Sequence, residues 1–335
     1  MLLDKFGRPL QDLRISITDK CNFRCTYCMP IEIFGEKYEF LPNANLLTYD
    51  EITRIATVFV GLGVSKLRIT GGEPLIRHGV EELVAYLASI PGVDDVTLTT
   101  NGFLLADKAQ MLKNAGLHRV TVSLDTMDSD IFKQMTGRKF GPERVLKGIQ
   151  AAIVAGLTPV KVNSVVMKGL NDSTIPEMVR YFKRPETILR FIEYMDVGNV
   201  NGWRLDNVVS GQEIVDSLNT VGSLESIESN YRGEVASRFR YQDGNGEVGV
   251  ITSVTQPFCG DCTRMRLSPD GKLYTCLFAS ENYDLMTPLR SGVTDSELGS
   301  IISDIWIARD DRYSELRTAK TGPQPRKVEM YQIGG

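Results

Sequence analysis

The sequence predicts an α/β fold: a parallel sheet built from repeated strand–helix units, followed by a smaller region of different pattern. Three observations carry that expectation. From Leu13 to about residue 196, short runs rich in Val, Ile, Leu and Thr alternate with amphipathic helical stretches, as parallel strands joined by right-handed crossovers require. After about residue 222 the pattern changes to short strands with Gly-rich turns, such as Asp243-Gly-Asn-Gly246 and Pro269-Asp-Gly271. All 6 cysteines fall into two triplets, Cys21, Cys25, Cys28 and Cys259, Cys262, Cys276, one in each region.

Taken in order, the strand candidates are 13–18, 66–70, 95–100, 119–124, 159–166 and 187–194. Thr48-x-x-Glu51 reads as a capping box opening a helix that runs to Gly61 or Gly63. Residues 79–89, 105–115, 142–155 and 172–183 repeat the helical period, two of them ending near Gly116 and Gly156. Such units are too few for a closed eight-fold barrel and fit an open doubly wound sheet or a partial barrel. The stretch 197–220 is a boundary, with Ser210-x-x-Glu213 capping a short helix to Leu218. Two further helices are expected at about 283–290 and 296–308, then an extended, Pro-containing tail whose Gly334-Gly335 end reads by itself as disordered.

A chain of 335 residues has room for one large domain and a smaller one. Its net charge of −4 argues against a general nucleic-acid or membrane-surface binder. It contains no run of about 18 apolar residues, and its N-terminus turns polar too early for a signal peptide. A soluble cytoplasmic protein is expected, in which disulfides are disfavoured. The 2 histidines, His78 and His118, read as ordinary helix-end or loop residues.

Cys21-Asn-Phe-Arg-Cys25-Thr-Tyr-Cys28 follows directly on the first strand. Thiolates bind iron and zinc as soft, charged donors, and close spacing lets several reach one centre. Structural zinc sites use four protein ligands. Each triplet here offers three thiols, which suits a four-iron cluster with one iron open; a zinc protein with two structural sites is the non-catalytic rival. Ligands of parallel α/β folds bind at the C-terminal strand ends. There the sequence places the first cysteine loop, Gly71-Gly72-Glu73, Thr99-Thr100-Asn101-Gly102, Ser123-Leu-Asp125, Asn163-Ser164 and Glu193-Tyr194-Met195.

Charged residues inside the strands add an independent signal. Lys66 and Arg68 alternate on one face of the second strand, and Lys161 shares a face with Asn163. Arg14 and Arg190 lie in the first and sixth strands with direction left open, and Arg264 and Arg266 follow the second cysteine pair. Parallel strands are buried on both faces, where a lone charge is costly. Several converging cations require a highly charged anion, and a triphosphate fits.

Cys-x3-Cys-x2-Cys, with Phe23 and Tyr27 at aromatic positions, resembles the cluster loop of the radical S-adenosylmethionine (SAM) enzymes, and Thr70-Gly-Gly-Glu-Pro74 resembles their GGEP segment. That resemblance implies a partial (β/α)6 TIM-type barrel over residues 1–220. A smaller C-terminal α+β domain, 221–335, would cap its open side. It implies a [4Fe–4S] cluster on Cys21, Cys25 and Cys28 that cleaves SAM to a 5′-deoxyadenosyl radical. Tyr27, Gly72, Ser123 and Met195 would contact SAM, with Glu73 near its amino group.

Three cysteines at the second spacing resemble the branch of that superfamily that cyclises GTP in molybdenum cofactor biosynthesis. Peptide- or protein-modifying members, the alternative, carry a larger C-terminal set. This closer resemblance implies a second [4Fe–4S] cluster on Cys259, Cys262 and Cys276 that holds the purine. GTP would be contacted by Arg14, Arg68, Thr99, Lys161, Arg264, Met265 and Arg266, with Arg264 and Arg266 as possible catalytic groups. The terminal glycines would reach the active site, with Arg317 and Lys320 as possible tail contacts. An external electron donor, a downstream cyclic pyranopterin monophosphate synthase and a homodimer are implied; nucleic acid and membrane are not.

Overall fold

The computed structural model describes residues 1–317 and 326–334. In chain order its elements are β1 (Asp12–Ser16), α1 (Tyr49–Gly61), β2 (Lys66–Thr70), α2 (Val80–Ala88), β3 (Asp95–Thr100), α3 (Leu105–Asn114), β4 (Arg119–Ser123), α4 (Ser129–Thr136), α5 (Glu143–Val154), β5 (Val160–Val166), α6 (Ile175–Phe182) and β6 (Thr187–Glu193). The rest comprises α7 (Gly211–Asn219), β7 (Leu224–Ile227), β8 (Ser237–Tyr241), β9 (Glu247–Ile251), β10 (Arg264–Leu267), β11 (Lys272–Tyr274), β12 (Tyr283–Asp284), α8 (Met286–Arg290), α9 (Asp295–Ala308), α10 (Tyr313–Leu316) and α11 (Met330–Ile333).

All the strands join one sheet in the order β12-β11-β10-β1-β2-β3-β4-β5-β6-β9-β8-β7. Strands β1 to β6 are parallel and adjacent in sequence order, as a partial barrel requires. The C-terminal region extends the barrel sheet at both edges. β10 lies parallel to β1, and β9 lies parallel to β6. Beyond them the pairing turns antiparallel, through β11 and β12 on one side and β8 and β7 on the other.

Period-two alternation sorts the strand residues. Leu13, Ile15, Leu67, Ile69, Val96, Leu98, Val120, Val122, Val162 and Phe191 are buried in the main apolar core, on the face covered by helices. Arg14, Arg68, Thr99, Thr121, Lys161, Asn163 and Arg190 therefore face the barrel interior. Arg14 pairs in register with both Arg68 and Arg266, which gathers cations on three neighbouring strands.

The capping boxes at Thr48 and Ser210 form as the sequence indicates, and a third, Thr294 with Glu297, opens α9. Helix α4 had no counterpart in the sequence reading. Its Asp128 side chain accepts from the amides of Asp130 and Ile131, and Gly137 closes it at φ 61°. The expected helix at 283–290 begins later, because Tyr283 and Asp284 pair with β11. The tail is not simply extended: α10 and α11 interrupt it, and Tyr331 and Ile333 are buried.

Candidate active site

The first thiol loop leaves β1 and is held from below and behind. Arg24 donates to the carbonyls of Cys21 and Phe23, each at 2.7 Å, and to that of Phe34. The amides of Arg24 and Thr26 donate to Thr136 and Met135 at the end of α4. Phe23 is buried with its ring 5.8–6.0 Å from those of Phe103, Phe132 and Phe140. This aromatic position is thus an anchor. Tyr27, two residues on from Cys25, instead sends its hydroxyl to Asp125 Oδ2 at 2.8 Å at the end of β4.

The second strand end packs directly against the loop's origin. Gly72 N donates to the Thr18 carbonyl at 2.7 Å and Glu73 N to that of Lys20 at 2.8 Å. A Cβ on Gly71 would meet the Thr18 carbonyl oxygen at 2.7 Å, and one on Gly72 would collide with Lys20 backbone. Two glycines are needed because backbone lies against backbone on both residues. Glu73 is fully buried, and its carboxylate accepts from Leu75 N, Thr100 Oγ1 and Asn101 N at 2.7–3.0 Å. Burial holds it at about 7, against those hydrogen bonds. It ties the ends of β2 and β3 together, so its first role is to shape the strand-end rim.

Two residues outside the sequence-derived site complete this rim. Asn101 Nδ2 lies 3.9 Å from Cys21 Sγ and donates to Asn22 at 2.7 Å. Asp125, held at about 6 by burial, accepts from Val165 N as well as Tyr27. Both stand in strand-end segments that the sequence singled out, and their polar side chains there were the available signal. Ser123 faces inward at the end of β4, beside Asn163 in register. Glu193, by contrast, is buried and accepts from the amides of Gly211, Val254 and Thr255, so it fastens β6 to α7.

Burial raises Cys21 to about 11 and pushes Cys25 and Cys28 up as well, with Asp125, Cys21 and Cys28 adding repulsion at Cys25 and Cys21 and Glu329 adding it at Cys28. Three thiols this close resist ionising together, and a bound metal–sulfur core removes that resistance by supplying positive charge. The donor set therefore fits an iron–sulfur cluster. Among the described residues no three His, Cys, Asp or Glu side chains stand in the arrangement that holds a single metal ion. His118 is structural, its Nδ1 accepting from Val96 N at 3.0 Å.

A cavity of about 180 Å³ occupies the barrel interior, and it joins the cationic strand face to the second thiol triplet. Arg14, Arg68, Thr99, Arg190, Arg264 and Arg266 line it, together with Met195 and Cys259, Cys262 and Cys276. The direction of Arg14 and Arg190 is thereby settled. Arg68 bonds only hydroxyls, Thr99 and Thr121 at 3.4 Å, and Arg190 Nε donates to Asn163 Oδ1 at 2.9 Å. Burial lowers Arg14, Arg68, Lys161, Arg190 and Arg266; repulsion from neighbouring guanidiniums adds to this for all but Arg68, where Asp12, Tyr231 and Asp95 work against it. Arg190 and Arg266 come down to about 10 and Lys161 to about 7. Arg264 runs the other way: burial lowers it, but the Cys262 thiolate, 3.4 Å from its Nε, outweighs that. Reciprocally, burial raises Cys262, yet Arg264 and Arg309 overcome it and hold the thiol at about 6.

Two expectations need correction. Met265 is fully buried in the apolar core, on the opposite face of β10 from Arg264 and Arg266, and does not line the cavity. Arg317 meets the tail through a shared carboxylate, Asp196, which Lys327 also holds. Its Nε pairs with Asp196 at 2.9 Å and its Nη1 donates to the Ser253 carbonyl. Gly334, read from sequence as part of a disordered end, is held instead: Arg266 Nη1 donates to the carbonyls of Gly334 and Ile333, and a Cβ on Gly334 would collide with Thr70 at the end of β2. Lys320 and Gly335 lie outside the described residues. Lys66 is turned to the Tyr231 ring, 3.1 Å from its centroid.

A partial barrel with this thiol loop defines a radical SAM enzyme, and the sequence profile of the Radical SAM superfamily matches residues 15–182. A second profile, Molybdenum Cofactor Synthesis C, matches residues 187–315. The crystal structure of SuiB from Streptococcus suis bound to S-adenosylmethionine shares the fold, with a TM-score of 0.63 at 17% identity over 97% of this chain and 78% of that one. GTP 3′,8-cyclases of Acidothermus cellulolyticus and Staphylococcus haemolyticus are each 49% identical to it, over 99% of this chain and 98% of theirs. The chain belongs to the GTP 3′,8-cyclase family. It is a radical SAM enzyme that uses S-adenosylmethionine and an iron–sulfur cluster, and no helix among its described residues is long and apolar enough to cross a membrane.

Two predictions test this geometry. Gly72→Ala forces the GGEP segment away from Lys20 and weakens SAM binding more than tenfold in equilibrium dialysis; wild-type affinity would remove the close approach. Lys161 sits at about 7 against an ordinary 10.5. Between those values the unfolded chain binds more protons, so the Lys161 contribution makes stability rise with pH there. The thermal midpoint of the wild type therefore gains on that of Lys161→Met from pH 7 to pH 10, whereas parallel profiles would show an unburied amine.

Proposed function

We propose that this chain converts GTP to 3′,8-cyclo-7,8-dihydro-GTP, an early step of molybdenum cofactor biosynthesis. One observation supports it most: the cavity joins a set of strand cations without carboxylate partners to the second thiol triplet. Arg14, Arg68, Arg190 and Lys161 cluster at a density that self-repulsion alone disfavours, and a triphosphate neutralises them. In this reading Cys259, Cys262 and Cys276 hold a second [4Fe–4S] cluster that takes the purine, and Thr99 and Arg264 orient the nucleotide between phosphate and base.

When bound at Cys21, Cys25 and Cys28, the first cluster supplies the electron for SAM-derived radical chemistry at C3′ of the ribose. The protein's own part is placement. Gly72 would present backbone to SAM's methionine end, Tyr27 and Asp125 would close the rim beside it, and Ser123 and Met195 would be further SAM contacts. Arg266 fixes the Gly334 carbonyl at the end of β2, so the tail shields the space between the two triplets from water. Residues 1–220 act as the barrel unit and 221–335 as the C-terminal unit with the second triplet and the substrate-binding tail, a division supported by the antiparallel strand pairs, which all involve strands after α7. The external electron donor, the downstream synthase, a homodimer and a cytoplasmic setting follow from the family resemblance.

The test uses anaerobically reconstituted protein with dithionite, SAM and GTP deuterated at C3′. Deuterium is expected in 5′-deoxyadenosine as GTP is consumed; SAM cleavage without transfer would send the search to another substrate. Cys259→Ser is expected to keep SAM cleavage and lose the cyclised product. Arg14→Met is expected to weaken GTP binding at least tenfold while the thermal midpoint holds or rises, since a buried cation gives way to an apolar chain. Undiminished GTP affinity would take Arg14 out of the site.

A further inference from the structure

Behind the second thiol triplet lies a buried charged group with no part in the reading above. Arg8, in the turn that precedes β1, is 0% exposed, and Asp4 and Arg309 beside it are nearly so. Asp4 Oδ2 pairs with Arg8 Nε at 2.6 Å and with Arg309 Nη1 at 3.3 Å. Two guanidiniums share the Asp4 carboxylate, and Arg309 Nε also pairs with Asp311 Oδ2 at 3.4 Å, so the buried charges are closely matched. Each guanidinium also grips the backbone of a predicted ligand. Arg8 Nη1 donates to the Cys259 carbonyl, and Arg309 Nη1 to the Cys262 carbonyl, both at 2.8 Å. Arg8 Nη1 reaches the Asp311 carbonyl as well, and its own carbonyl receives Trp306 Nε1.

One prong is left over. Arg8 Nη2 is buried and has no hydrogen-bond partner among the described residues, although Arg8 lines the cavity that the three thiols line. A buried, charged N–H without an acceptor is costly; the Phe6 ring lies 5.1 Å from the guanidinium carbon, and Cys259, Cys262 and Cys276, which line the same cavity, become anionic acceptors when they hold metal.

We propose that Arg8 is a positioning residue of the second metal–sulfur site: it sets the Cys259 loop through Nη1 and donates through Nη2 to a sulfur of the group held by Cys259, Cys262 and Cys276. Hydrogen bonds to cluster sulfurs stabilise the more negative, reduced state and raise its potential. The strand cations serve the substrate; Arg8 serves the cluster behind it. This rests on the second cluster proposed above.

The experiment uses the full-length chain with Cys21→Ser, Cys25→Ser and Cys28→Ser, reconstituted with iron and sulfide, so that only the second triplet binds. Iron content of this parent tests the underlying reading by itself: a parent without iron overturns the second cluster, and Arg8's role with it. Given iron, Arg8→Gln and Arg8→Lys are compared with the parent by iron per chain, thermal midpoint, EPR-monitored redox titration and GTP affinity. A lower cluster potential in Arg8→Gln, partly restored in Arg8→Lys, is expected. Iron loss at an unchanged thermal midpoint also supports the assignment, because it separates assembly of the site from folding. An unchanged potential with full iron overturns it, and if GTP affinity falls tenfold at that unchanged potential, Arg8 belongs to the phosphates instead. Collapse of the fold in both variants overturns it too, by making Arg8 a stability residue.

Discussion

The interior of a parallel barrel is a poor place for positive charge, and this chain puts several cations there on adjacent strands. Arg14 stands in register between Arg68 and Arg266, and Arg190 lies beside Asn163. Their pKa values fall through burial and mutual repulsion. Elsewhere the chain pairs its interior charges carefully: Arg8 and Arg309 have Asp4, and Arg119 has Asp95. Asp12 and Glu234 line the same cavity and act on these arginines from a distance, yet neither forms an ion pair with them among the described residues, so much of the cost of burying them is left uncompensated.

That constraint shapes the rest of the sheet. Strands that turn cations inward must turn their apolar residues outward, toward the helices, and the helices need amphipathic faces to meet them. Continuing the sheet with β10 at one edge and β9 at the other brings Arg264, Arg266 and the second triplet to the same interior. The cavity thus belongs to both regions of the chain.

Most of the architecture was legible because alternation and capping are local. Six strand–helix units, two capping boxes and two thiol triplets can be read over windows of ten residues. Met265 was misjudged although the same alternation places it: if Arg264 and Arg266 face in, the residue between them faces out. Helix α4 is short, and its Asp128 and Gly137 ends were overlooked between stronger signals. The tail is a different matter. Nothing near Gly334 in sequence indicates that Arg266 and Thr70, far away along the chain, will enclose it. Likewise the pairing of Asp4 with Arg8 and Arg309 joins the two ends of the chain, and no local pattern encodes it.

The ends of the chain are used crosswise. The N-terminal turn, through Arg8, braces the loop of the C-terminal triplet. The C-terminal helix α11 braces the loop of the N-terminal triplet, where Tyr331 packs with Met29 and Phe34 against Cys21 and Cys28, its hydroxyl 2.8 Å from that of Tyr38. Each thiol set is therefore buttressed by the terminus most distant from it in sequence. Loops that carry metal ligands are mobile when left to themselves, and a terminus is the one part of a chain that can be laid over such a loop without rerouting the sheet. A chain braced in this way holds its two cysteine loops against the same barrel with backbone and a few buried side chains.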